Sequence, residues 1–192
     1  MDWIFQAISA VASGIAGYSS KQIKQIILDR RIGRKFYADL TMLHEIGKEV
    51  LRNTQMDRWT VFMVHNGGKQ LSLLRSNGLS ILEEDCRDEL PPRKYEFQKH
   101  PLDLTFYNFL QQCFLKGSVV GTESDMEIGQ LKYALAKAGI VHNQVFFMME
   151  NKEGHYFLSY SSSKVTYDKV TFKERALINM NANRIKALFL KA

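Results

Sequence analysis

Two strand-forming runs, Gln144 to Glu150 and His155 to Ser161, face each other across Asn151-Lys152-Glu153-Gly154. Aromatic and β-branched residues closed by a turn rich in Asn and Gly pair back on themselves, so this pattern commits the chain to antiparallel sheet. A second signal of the same kind runs from Asp57 through Arg58-Trp59-Thr60-Val61-Phe62-Met63-Val64-His65 to Asn66-Gly67-Gly68. It predicts a strand, a tight hairpin, a return strand over Gln70 to Arg75 and a further turn at Asn77-Gly78.

Helices surround these strands. Phe36, Leu40, Leu43, Ile46, Gly47 and Val50 recur every three or four residues, the spacing of one helical face. Leu104, Tyr107, Phe109, Leu110 and Phe114 predict a helix from about Asp103 to Lys116-Gly117, and Ser118 to Gly121 a short strand. Ser124-Asp125-Met126-Glu127 and Thr171-Phe172-Lys173-Glu174 are capping boxes, in which hydroxyl and carboxylate satisfy free amides at a helix start. The first predicts a helix through Leu131 and Leu135 to Gly139, the second a terminal helix carrying Leu177, Met180, Arg184, Ile185 and Leu188. Ahead of these helices, the acidic stretch Glu83, Glu84, Asp85, Asp88, Glu89 before Pro91-Pro92 reads as a loop. Antiparallel hairpins with flanking helices make an α+β domain.

The N-terminus follows another logic. From Trp3 to Tyr18 no residue is charged, and residues 21 to 35 then hold six cations against the single acid Asp29. A spanning helix needs about 20 apolar residues, which this run barely reaches. Trp3, Ile4, Phe5, Ile8, Val11 and Ile15 are the apolar residues for a membrane or for docking on a protein. Lys21, Lys24, Arg30, Arg31, Arg34 and Lys35 are placed to bind anionic headgroups, at about 1 kcal/mol each near the surface. The cations follow the apolar run, the reverse of a cleaved signal peptide. Positive charge on that side places the main domain at the cytoplasmic face of a membrane. The same helix could lie in the interface, or dock on a neighbouring subunit in a soluble cytoplasmic assembly. Small residues four apart, Ala10 with Gly14 and Ser13 with Gly17, suit helix association and therefore a homo-oligomer. The stripe of Gln6, Ser9 and Ser13 leaves a small membrane pore as a further alternative. The expected organisation is an apolar helix over 1–20, a basic helical linker over 21–35 and an α+β domain over 36–192.

Most of the net charge of +6 lies in the linker, so the domain is nearly balanced, which argues against nucleic acid as a partner. An aromatic platform of Trp59, Phe147 and Tyr156 has no basic surround. His44, His65, His100, His142 and His155 show no chelating spacing, and no metal is expected. His65 and His155, at or beside hairpins, read as solvated surface groups, and Cys113 as a small buried apolar residue. Cys86 stands among acids that disfavour its thiolate, so it makes a poor nucleophile; a thiol–histidine site through His100 is the remaining catalytic option. Gly67-Gly68-Lys69 lacks the spacing of a phosphate loop. No catalytic set and no cofactor motif emerges, and a non-enzymatic protein is expected.

The element order resembles that of GAF domains over roughly residues 36 to 190. The resemblance is carried by the helix leading into Arg58 to Gly68, the hairpin from Val145 to Leu158 and the capped helix from Thr171. It implies an antiparallel sheet flanked by helices, with a sensory, dimerisation or docking role. It also implies a ligand pocket near residues 80 to 122. The asparagine-lysine-phenylalanine-aspartate-glutamate motif of cyclic-nucleotide-binding members is absent, and neither cysteine stands in a bilin-attachment context. Together with the N-terminal arm, the resemblance leads to the expectation of a membrane-associated regulatory module acting through oligomerisation and ligand or partner binding. The alternative is a structural component of a larger assembly.

Overall fold

A computed structural model of the chain describes residues 39–65, 78–87, 90–122, 129–151 and 154–190. The expected apolar helix and basic linker, with every membrane, docking and headgroup residue named above, lie outside them. The chain divides into two units, Met1–Met42 and Leu43–Ala192. In the first, residues 39–42 are helical. The second carries the sheet and everything that follows.

Among the described residues five antiparallel strands, β1 (Arg58–His65), β2 (Gly78–Cys86), β3 (Ser118–Thr122), β4 (His142–Glu150) and β5 (His155–Ser162), stand in the order β2-β1-β5-β4-β3. With helices on both faces, this is the expected α+β fold. The β4–β5 hairpin forms where Asn151 and Gly154 predict it: Asn151 N–H donates to Gly154 O at 3.0 Å, and Asn151 Oδ1 accepts from Gly154 N–H at 3.2 Å. Side chains alternate across a strand, so β1 sends Trp59 and Val61 to one face and Arg58, Thr60, Phe62 and Val64 to the other.

Within the second unit, the Trp59 face is covered by α1 (helical over residues 43–53) and α4 (Phe172–Phe189). Gly47 of α1 lies against the Trp59 indole, Tyr156 meets Phe189, and Gln144 bonds Asn179 of α4. Arg184 of α4 pairs with Glu49 of α1 at 2.6 Å. The Thr171 capping box forms as predicted: Thr171 Oγ1 accepts from Glu174 N–H, and the Glu174 carboxylate accepts from Thr171 N–H. The Phe62 face is covered by α2 (Leu104–Lys116) and α3 (Gln130–Lys137). Asp103 caps α2 by accepting from Phe106 N–H at 2.9 Å, and Gly117 ends it at φ 80°, a left-handed conformation that favours glycine.

Three expectations are corrected. The strand paired with β1 is β2, which begins at Gly78 where a turn was expected; residues 66–77, with the expected Asn66-Gly67-Gly68 hairpin and the return strand over Gln70 to Arg75, lie outside the described residues. Glu83, Glu84 and Asp85 belong to β2 and not to a loop. Each has a cation: Lys94 for Glu83, Arg58 for Glu84, Lys48 for Asp85; the His44 ring also lies 3.4 Å from Glu83. Pairing of Leu79 and Ile81 into the core then carries the acids into the ladder, overriding their low strand propensity. The third correction is His155, which is 3% exposed and packs against Phe114 instead of facing solvent. The capping box at Ser124 falls on residues outside the description.

Burial leaves His142 fully covered, with Tyr167 against its ring, and holds its pKa down to about 4, Arg175 adding to the effect. Burial also lowers that of His155, against the opposing pull of Glu150. An unfolded histidine takes up a proton near pH 6.5, whereas folded His142 does so only near pH 4. Between these values the unfolded chain binds more protons, so acid favours unfolding. Stability is therefore expected to be flat above pH 6.5 and to fall by up to about 3 kcal/mol by pH 4 through His142. Urea denaturation across that range checks this, and His142→Phe, which keeps a ring against Tyr167, is expected to flatten the profile.

Candidate functional site

On the Phe62 face the strand register sets an apolar end beside a polar end. Phe62 stands opposite Phe157, with their rings stacked at 5.3 Å. Two residues along, Thr60 stands opposite Ser159, and Arg58 opposite Ser161. On β4, Val145 stands opposite Ser159 and Asn143 opposite Ser161. Ser159 donates to Asn143 Oδ1. From β2, Leu79 and Ile81 extend the apolar end and Glu84 the polar one.

A cavity of about 100 Å³ lies between this surface and its cover. Leu131, Ala134 and Leu135 of α3, with Phe106 and Phe109 of α2, form its apolar roof. The segment 90–100 closes one side with Phe97 and Arg93. That segment runs along the free edge of β2 as an added partial strand. Leu79 and His100 exchange backbone bonds at 2.8 Å, Ile81 N–H donates to Phe97 O at 3.0 Å, and Lys99 N–H donates to Ser80 Oγ at 2.9 Å. Otherwise exposed ladder groups of an edge strand are satisfied in this way.

Glu84 fixes the start of the segment. Its side chain is 1% exposed, it is paired with Arg58, and it accepts from the backbone N–H groups of Arg93 and Lys94. Arg58 also donates to Pro91 O at 3.0 Å. Arg93 then reaches across the cavity mouth, donating to Lys137 O at the end of α3 at 3.1 Å and to Glu96 at 3.0 Å. Its Nε is buried and has no partner among the described residues. The arrangement can hold a small molecule against an apolar wall with polar groups converging on one end.

Other sequence candidates fall elsewhere. Cys113 is fully buried, and burial pushes its thiol up to about 12. Burial raises the pKa of Cys86 too, with Arg58 opposing, and its thiol bonds Leu90 O. Among the described residues no group of three or more His, Cys, Asp or Glu is placed to hold a metal ion, and no helix is long and apolar enough to cross a membrane. The 80 to 122 segment supplies Ile81, Glu84, Arg93, Phe97, Phe106 and Phe109 to the cavity. What sequence reasoning missed is the set Arg58, Glu84 and Arg93, which no spacing motif joins. The available signal was Glu84 itself, two residues beyond Leu82 in a run whose apolar start reads as strand.

No family model matches this sequence, and no curated protein matches it. Solved structures do. The GAF domain region of a protein from Geobacter sulfurreducens PCA matches with a TM-score of 0.58 at 10% identity, over 84% of this chain and 99% of its own. A far-red cyanobacteriochrome photoreceptor matches at 0.57 and 15% identity, over 88% and 97%. The GAF domain of a two-component sensor histidine kinase from Bacillus halodurans matches at 0.53 and 10% identity, over 78% and 92%. At these identities the likeness concerns architecture, and the fold of this chain is that of GAF domains.

Proposed function

We infer that this chain is a non-enzymatic regulatory module in which occupancy of the cavity changes the setting of α1 and α4. One observation carries the reading: the cavity and the helix pair share strands. Arg58, Thr60 and Phe62 line the cavity, while Trp59, on the same strand, is fully buried on the helix side. A strand that shifts to admit a ligand moves alternate residues on its far face, because packed interiors do not absorb displacement locally. A regulatory role is in keeping with the matched structures, which include a photoreceptor and the GAF domain of a sensor histidine kinase.

The apolar run from Trp3 and the cations from Lys21 to Lys35 would tether this module to the cytoplasmic face of a membrane and support self-association. The tether rests on sequence alone.

An occupancy mimic tests the central reading without a ligand. Ala134→Phe places a ring from α3 into the cavity, with Tyr133→Ala, on the exposed side of the same helix, as control. Amide hydrogen exchange in residues 43–53 and 172–189 is expected to change in the first variant and not in the second. Unchanged exchange in both would remove the link between cavity and helices. Flotation with anionic liposomes, compared for the full chain and a deletion of residues 2–18, tests the tether. Loss on deletion supports it, and no flotation under any salt condition makes the arm a protein-docking element.

A further inference from the structure

The polar end of the cavity is incomplete in a way that names its ligand. Arg58, Glu84 and Arg93 have side chains 6%, 1% and 15% exposed. Two cations and one anion leave this buried set with one positive charge. Glu96, the other carboxylate near Arg93, is 54% exposed, so water screens much of its effect. Asp57 is buried beside Arg58 in sequence, but Ser163 N–H and Oγ engage its carboxylate at 2.7 and 2.6 Å, and it does not line the cavity. Lys94 is turned to Glu83 at 3.2 Å. Among the described residues nothing accepts from the buried Arg93 Nε. A buried donor without an acceptor is costly, and the half-exposed Glu96 offsets the charge of Arg93 only in part; one carboxylate relieves both.

Size restricts the rest of the ligand. An apolar cavity of about 150 Å³ holds benzene. At about 100 Å³ this one is smaller and takes a short branched chain. The geometry points to a small monocarboxylate with a short branched apolar body, its carboxylate on Arg93 and its body against Phe62, Leu135 and Val145. This rests on the cavity being the regulatory site, and gives that site a ligand class. Binding closes the mouth more tightly, because the same guanidinium that meets the carboxylate also holds Lys137 O on α3.

The test uses the full chain with isovalerate, isovaleramide and isopentylamine, which share a branched body and differ in charge. Titration calorimetry gives affinities, and methyl NMR of Leu135 and Val145 reports where each binds. Isovalerate is expected to bind at least about tenfold more tightly than its amide, the worth of one charge-assisted hydrogen bond, and the amine not at all. Arg93→Met is expected to abolish the preference of acid over amide. The wild-type series decides the matter even if that variant fails to fold. Equal binding of acid and amide at the cavity methyls overturns the carboxylate and leaves the cavity as the site. No binding by any of the three overturns the ligand class alone, because Ala134→Phe tests the regulatory reading with no ligand present.

Discussion

Glu84→Gln is expected to lower the free energy of unfolding by about 3–5 kcal/mol, read from urea denaturation at pH 7. The carboxylate is nearly inaccessible and accepts from Arg58 and from the amides of Arg93 and Lys94, so all its surroundings are donors. Glutamine replaces one acceptor oxygen with an NH2 that points donors at donors and leaves Arg58 buried without a counter-charge. Glu83→Gln is the control on the same strand. Its side chain is 25% exposed, and its partners Lys94 and His44 are a third exposed, so the loss there is expected to stay within about 1 kcal/mol. Amide protection at Arg93 and Lys94 should fall in the first variant only. Equal costs for the two variants would mean that the ion pair does not hold segment 90–100 in place. A double change, Arg58→Met with Glu84→Met, should recover much of the loss, because a buried pair removed together costs far less than one broken.

The elements that the sequence announced were those with local signatures. Thr171 and Glu174 satisfy each other's backbone within one turn, Asp103 caps α2 from the adjacent position, and Asn151 with Gly154 closes the late hairpin. Each is decided by residues within a few positions, which is the range over which propensity operates. β2 was missed because its second half is acidic, and acids read as loop until their partners are known. Those partners, Arg58, His44, Lys48 and Lys94, come from β1, α1 and segment 90–100. The same holds at the cavity. Its position near residues 80 to 122 followed from architectural resemblance, but its polar end joins strand residues to Arg93 across more than thirty positions, which periodicity does not encode. His155 misled for a related reason: proximity to a turn suggested exposure, while Phe114 covers it from α2.

Gly47 and Trp59 give a case in which local and tertiary rules disagree in sign. Helix propensity alone says that alanine at Gly47 gains about 1 kcal/mol. The structure says the opposite. A Cβ on Gly47 would fall 2.6 Å from Trp59 Cδ2, inside the closest approach of real side chains, against an indole that is fully buried and edge-on to His44 at 5.3 Å. The indole cannot retreat, because it stands opposite Tyr160 in the ladder and Tyr160 is also fully buried. Gly47→Ala is therefore expected to destabilise by about 1–3 kcal/mol, the usual cost of overpacking. Trp59→Ala alone is expected to cost about 3–5 kcal/mol through the space it leaves. Combining them reverses the first effect: once the ring is gone the added methyl has room, and Gly47→Ala in the Trp59→Ala background should be neutral or stabilising by a few tenths to about 1 kcal/mol. The cycle thus measures the contact by a change of sign, which nonspecific loss of stability does not produce. Additive losses would place α1 away from β1, and would also remove the route by which movement of the cavity strands reaches the helices.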